Sequence, residues 1–124
     1  MIYKNEYLPF LNQLLVKIKT MNFSIQTQYK FLKILKAVNE ELIIYEEQRN
    51  SLIESYAEFD NGNPVINENG GIKIKEGCLE DCKKKIDEIN AMQIALPDIY
   101  FSLDELEPLG LTLGELELLE PFIK

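Results

Sequence analysis

Apolar residues between Ser24 and Asp60 fall on a heptad. Phe31, Val38, Tyr45, Leu52 and Phe59 recur every seven positions, and Leu35, Leu42 and Tyr56 follow three of them by four. This 3-4 spacing predicts one long helix with a single buried stripe. No glycine or proline interrupts it, and glutamates and lysines fill the outer positions. Some 36 residues at ~1.5 Å each span about 54 Å. A compact chain of this size has a diameter of only ~35 Å. The helix is therefore either the spine of an elongated molecule or a projection into a partner. Arg49 is the polar break in the stripe. It either snorkels outward along its aliphatic stem or forms a register-setting ion pair with a glutamate of a neighbouring helix.

Flanking patterns complete the outline. Residues 1–7 read as an extended lead-in. A first helix starts near Leu8 with Pro9 in its first turn, and Leu11, Leu14, Leu15 and Ile18 form its stripe. Ser24 or Asn22 caps the long helix, and the short link folds the first helix antiparallel onto it. Asp60-Asn61-Gly62-Asn63-Pro64 stops the long helix. A small β-hairpin follows, with arms at 64–67 and 72–75 and a turn at Glu68-Asn69-Gly70-Gly71. A third helix over about 76–90 carries Leu79, Cys82, Ile86 and Ile89 back along the spine. Residues 93–101 look extended. Ser102-x-x-Glu105 and Thr112-x-x-Glu115 are capping boxes that open two short helices. The expected fold is mainly α: an elongated helical hairpin or bundle around one long helix (about 24–60), with a β-hairpin (about 64–75) and short C-terminal helices. It forms one domain over 1–124, in which 1–92 are the spine with its hairpin insert and 93–124 a leucine-rich segment.

That segment supplies the candidate interaction residues Leu106, Leu109, Leu111, Leu116, Leu119 and Phe122. Two short helices this rich in leucine cannot stay in water. They pack either on the first two helices of their own chain or, as a helix-in-groove ligand, on another subunit.

Charge adds polarity to this picture. The net charge of −8 divides into +5 over residues 1–39, from six lysines and one glutamate, and −13 over 40–124, from seven cations and twenty carboxylates. The split favours head-to-tail contact between copies or a basic partner for the acidic part. The sign disfavours nucleic acid, and Lys30, Lys33 and Lys36 are the only stripe that could face phosphate. No run approaches the ~18 consecutive apolar residues of a membrane-spanning helix, and Met1–Phe10 lack the pattern of a signal peptide. The expected location is the cytoplasm where the chain is made, with no membrane partner.

Catalytic chemistry finds little footing. The chain has no histidine, which removes the commonest general base and the Ser-His and Cys-His nucleophile schemes. No phosphate-binding glycine motif occurs. Cys78 and Cys82 share a helix face, but two cysteines without histidines fall short of a zinc site. A Mg²⁺-dependent hydrolase would need carboxylates such as Glu46, Glu47, Asp81 and Asp87 to converge on one cavity. The expectation is a protein without catalytic residues, metal or cofactor.

The chain resembles a family of small proteins of tailed double-stranded DNA bacteriophages. The resemblance lies in Phe10-Leu11 through Lys17, Tyr29-Lys30-Phe31-Leu32, the exit Tyr56…Asp60-x-Gly62-Asn63, Glu88-Ile89 and Leu118-Leu119-Glu120-Pro121-Phe122-Ile123. Members often carry basic residues just after the serine that opens the long helix, whereas Ile25–Gln28 carry none. The resemblance implies a phage owner, located in the host cytoplasm or incorporated in the virion, and implies no reaction. The leading expectation is a non-enzymatic phage protein acting through protein–protein contacts as a virion accessory or assembly factor, bound to another phage protein or to itself. The alternative is a small acidic inhibitor of a host defence or nucleic-acid enzyme.

Overall fold

The computed structural model describes residues 1–124. The fold is mainly α and is organised on one long helix. In chain order it comprises β1 (Ile2–Lys4), α1 (Leu8–Ile18), α2 (Ile25–Tyr56), β2 (Phe59–Asp60), β3 (Asn63–Pro64), α3 (Leu79–Ala91), β4 (Gln93–Ala95), α4 (Leu103–Leu106) and α5 (Leu113–Leu119). Single 3₁₀ turns precede α1 and follow α4 and α5.

Helix α2 begins where Ser24 Oγ accepts from the Thr27 N–H at 3.3 Å. Its 32 residues give a rod of about 48 Å. It ends at Tyr56, so Phe59 of the heptad lies beyond the helix, in β2 and half exposed. The stripe is buried only in part. Thr27, Phe31, Ile34, Leu35, Val38 and Tyr45 are buried, whereas Leu42, Leu52 and Tyr56 are only partly covered. Helix α1 covers the first part of α2 with Leu8, Leu11, Leu14, Leu15 and Ile18. Helix α3 returns along the second part. Tyr56, at the end of α2, bonds Asp81 near the start of α3, and Tyr45 Oη donates to Asn90 Oδ1 at 2.6 Å near its finish. Those two contacts fix an antiparallel direction.

The segment between α2 and α3 contains the expected hairpin and one more. Ile66 bridges Ile72 in antiparallel fashion, and Asn67 Oδ1 accepts from the Asn69 and Gly71 N–H groups within the turn, each at 3.0 Å. Upstream, β2 pairs with β3 around Asn61-Gly62. Both of those residues have positive φ, at 52° and 81°, as a two-residue type I′ connection requires. A bridge from Ala57 to Ile74 closes the small meander onto the end of α2.

The lead-in is a strand. Ile2, Tyr3 and Lys4 pair with Ala95, Ile94 and Gln93. Asn5, buried just after β1, sends its Nδ2 to the Ile89 carbonyl at 3.0 Å and its backbone N–H to the Met92 carbonyl. The Ile89 carbonyl, in the last turn of α3, also accepts from the Met92 N–H, so Asn5 ties the strand to the end of that helix. Seventeen buried apolar residues form one core, drawn from residues 3–45 and 96–122.

Candidate interaction surface

The leucine-rich segment folds onto its own chain. Leu106, Leu109, Leu119 and Phe122 are buried in the single core, and Leu111 and Leu116 pack against its edge. Both capping boxes form, Ser102 with Glu105 and Thr112 with Glu115. They satisfy the first N–H groups of α4 and α5 and aim the leucines inward. Phe101 stacks on Phe31 with ring centres 4.3 Å apart, and Tyr3 lies against Phe122. Phe101 and Ile123 bridge in parallel, with the Phe101 N–H donating to the Phe122 carbonyl at 2.7 Å. Of the six residues put forward for docking, four are thus inaccessible in this fold. The segment's uncovered leucines are instead Leu103 and Leu113, each the first residue of its short helix.

Folding back also redraws the charge. Residues 93–124 carry seven carboxylates and one lysine and lie against the lysine-rich start of the chain. Lys17 Nζ reaches Glu115 at 3.2 Å, and Lys30 Nζ reaches Glu105 at 3.0 Å and the Tyr100 carbonyl at 2.9 Å. The packed end of the molecule, residues 1–39 with 93–124, therefore nets −1, from +5 and −6. The remaining residues, 40–92, hold thirteen carboxylates against six cations, a net of −7. The lysine stripe is correspondingly reduced. Lys30 is engaged by Glu105, and Lys33 lies over the Tyr29 ring at 4.5 Å from its centre.

The other singled-out residues do not converge on a reaction centre. No group of three or more Cys, Asp or Glu side chains is arranged to hold a metal ion. Cys78 and Cys82 are free, and burial above all pushes the Cys82 thiol up, away from the reactive thiolate. Arg49 forms no ion pair. Its guanidinium lies 5.5 Å from the centre of the Tyr45 ring, with Nε buried. The register-setting pair with a neighbouring glutamate is absent because the side chain folds along its own helix instead.

A surface that the sequence did not announce stands at the far end of the spine. Between residues 46 and 88 only Ala57 and Cys82 are buried; the other nineteen buried residues lie outside that span. Here α2, the meander and α3 meet around a groove of about 400 Å³. Ile53 lines it from α2, Ile72 and Ile74 from the meander, and Leu79, Cys82 and Ile86 from α3, with Lys83 the one charged residue. Leu79 is 64% exposed. The sequence carried no direct signal of it: the heptad of α2 runs on to Tyr56 and the meander and α3 supply Ile66, Ile72, Ile74, Leu79 and Ile86, yet Ile66, Ile72 and Leu79 stay exposed.

Compared with protein-family models, curated proteins and solved structures, the chain finds no match. No helix is long and apolar enough to cross a membrane.

Proposed function

We propose that this chain is a non-enzymatic protein of a tailed double-stranded DNA bacteriophage, acting through protein–protein contacts as a virion accessory or assembly factor. One observation carries the contact reading: the uneven burial of a single long helix. Its first part is enclosed by α1 and the C-terminal segment. Its second part carries apolar residues into a lobe that has two buried residues between positions 46 and 88. An apolar surface gathered at one end of a molecule is the usual mark of a site that another protein covers. The phage assignment draws on the residue resemblance alone.

Photo-crosslinking in phage-producing cells tests the reading. A photoreactive residue at position 79 gives one discrete adduct with a phage structural or assembly protein. If no position on the distal lobe or elsewhere yields an adduct and the chain sediments as a free monomer, the reading is wrong.

The concentration of −7 in the distal lobe supports a second reading, a small acidic inhibitor that occupies the basic groove of a host defence or nucleic-acid enzyme. Here the adduct is a basic host enzyme, and its affinity falls steeply with salt.

A further inference from the structure

We infer that the outward face of α2 is a contact between two copies of this chain, packed antiparallel about a two-fold axis near position 38. The inference goes beyond the contact reading above, which concerns the distal lobe, and does not depend on it. The buried stripe of α2, with Phe31, Ile34, Val38 and Tyr45, faces the rest of the molecule. The opposite side of the helix is open, and it is not simply polar. Ile25, Tyr29 and Leu32 stand there at i, i+4 and i+7, and Ile43 continues the line with Ile44 beside it. These five residues are between 43% and 83% exposed.

Charge on this face is divided by position. Its charged residues before Asn39 are Lys33 and Lys36, and α2 has no carboxylate before Glu40. Beyond Asn39 they are Glu40, Glu47 and Glu54, all exposed like the two lysines. The one cation in that half of the helix, Arg49, lies against Tyr45 on the other side. Glu41 and Glu46, on the flanks, have the sign of their own half. So does Lys19 of the α1–α2 link, which lines a hollow with Leu32 and Gln28. The five ion pairs of the chain engage none of Lys33, Lys36, Glu40, Glu47 and Glu54.

A face that is cationic over one half and anionic over the other is complementary to itself reversed, as a two-fold contact requires. Turning a second copy end for end about position 38 sets Lys36 against Glu40 of the partner subunit. It sets Leu32 against Ile43 of the partner subunit, and each contact is made twice. The two acidic distal lobes then point to opposite ends of the pair. A parallel copy would lay lysines on lysines and carboxylates on carboxylates. The apolar residues supply the attraction, and the charges set its direction.

Sedimentation of the full chain over a range of concentrations tests this, and a reversible dimer is expected. Ile43→Ser should weaken it by about tenfold, and Leu113→Ser, on another element, by less than about twofold. Lys36→Glu and Glu40→Lys should each weaken it by about tenfold, since each sets like charges opposite one another. An equal mixture of those two charge variants should dimerise as the parent does. None of these changes removes a buried side chain. Zero-length carbodiimide crosslinking of mixed light and heavy isotope-labelled chains should join Lys33 or Lys36 of one copy to Glu40 or Glu47 of the other. A monomer at every concentration overturns the inference. A dimer indifferent to Lys36→Glu and Ile43→Ser does so too, as do charge variants that stay monomeric when mixed or crosslinks confined to other surfaces. A dimer that Leu79→Ser dissociates would place the contact at the distal groove and would equally overturn it. The adduct at position 79 bears on the distal lobe alone, so either surface can fail without the other.

Discussion

Lys30 Nζ stands 3.0 and 3.1 Å from the two carboxylate oxygens of Glu105, seventy-five residues away in sequence. One of those oxygens also accepts from the Thr27 hydroxyl at 2.9 Å and the other from the Ser102 N–H at 3.1 Å. A single side chain thus closes the capping box of α4 and fastens that helix to the first turns of α2.

The Ser102 backbone N–H, and with it Lys30 and Thr27, hold the Glu105 carboxyl down at about 2, against an ordinary value of 4.5. A carboxyl depressed in the folded state gives stability that is present above its unfolded value and is lost as pH falls toward the folded one. Urea unfolding followed from pH 7 to pH 2 should show this loss between about 4.5 and 2. Glu105→Gln should cost about 1 kcal/mol at neutral pH, an amount discounted for the partial exposure of both partners. The gap between variant and parent should shrink as the pH approaches 2.

Phe101 is 1% exposed and stacked on Phe31. Phe101→Ala should destabilise the chain by about 4 kcal/mol, through lost burial and the cavity left behind. Leu79→Ser should stay within about 0.5 kcal/mol, as expected of an uncovered site. Denaturant midpoints for the two variants settle the contrast. Comparable losses would mean that the distal lobe is better packed than its exposure indicates.

Opening should begin at the distal end. Local unfolding costs least where few apolar side chains are buried. Amides of α2 beyond Tyr45 and of α3 before Ile89 should exchange with deuterium well before those of α1 and the first half of α2. Uniform protection along all 32 residues of α2 would instead show that the long helix opens as one unit.

Tyr3 is buried and its hydroxyl donates to the Leu118 carbonyl at 3.0 Å. Burial first, and the neighbouring Tyr7 second, push this phenol well above its ordinary value of 10.0. A phenol raised in the folded state costs nothing at neutral pH and withdraws stability as pH climbs past the unfolded value. An alkaline spectrophotometric titration should therefore show one tyrosine that ionises only as the chain unfolds. Tyr3→Phe should remove that step at a neutral-pH cost of about 1 kcal/mol for the hydrogen bond.

The sequence made the local features legible because their causes are local. Ser24, Ser102 and Thr112 cap the helices expected of them, the capping boxes form with Glu105 and Glu115, and Pro9 sits in the first turn of α1. The Ile66–Ile72 hairpin likewise follows from its own turn residues. Features that depend on distant partners stayed hidden. Residues 1–7 and 93–101 read as extended, but β1 and β4 are three residues each, too short to show alternation, and their pairing across some ninety positions was not visible. Asp60-Asn61-Gly62-Asn63 read as a stop when it is also the turn of a second hairpin, since the positive φ of both central residues serves either role. The full heptad predicted a stripe buried throughout, but a repeat records only what a helix offers. How much of it is covered depends on α3, whose buried side chain is Cys82 alone. The docking assignment to the leucine-rich segment faced the same difficulty, because the pattern marks a surface that must be covered and says nothing of which chain covers it.

The pairing of β1 with β4 also bears on how the chain is made. The core joins residues before position 46 to residues 96–122, so α1 and the first half of α2 leave the ribosome with only each other to cover their apolar stripes. They must wait for Phe101, Leu119 and Phe122 to emerge before the stripe can close. Contacts this distant in sequence slow folding and prolong exposure of sticky surface. Meanwhile the distal lobe is built from neighbouring segments and can assemble first. During synthesis, every residue of the distal lobe has therefore been added before the segment that closes the core.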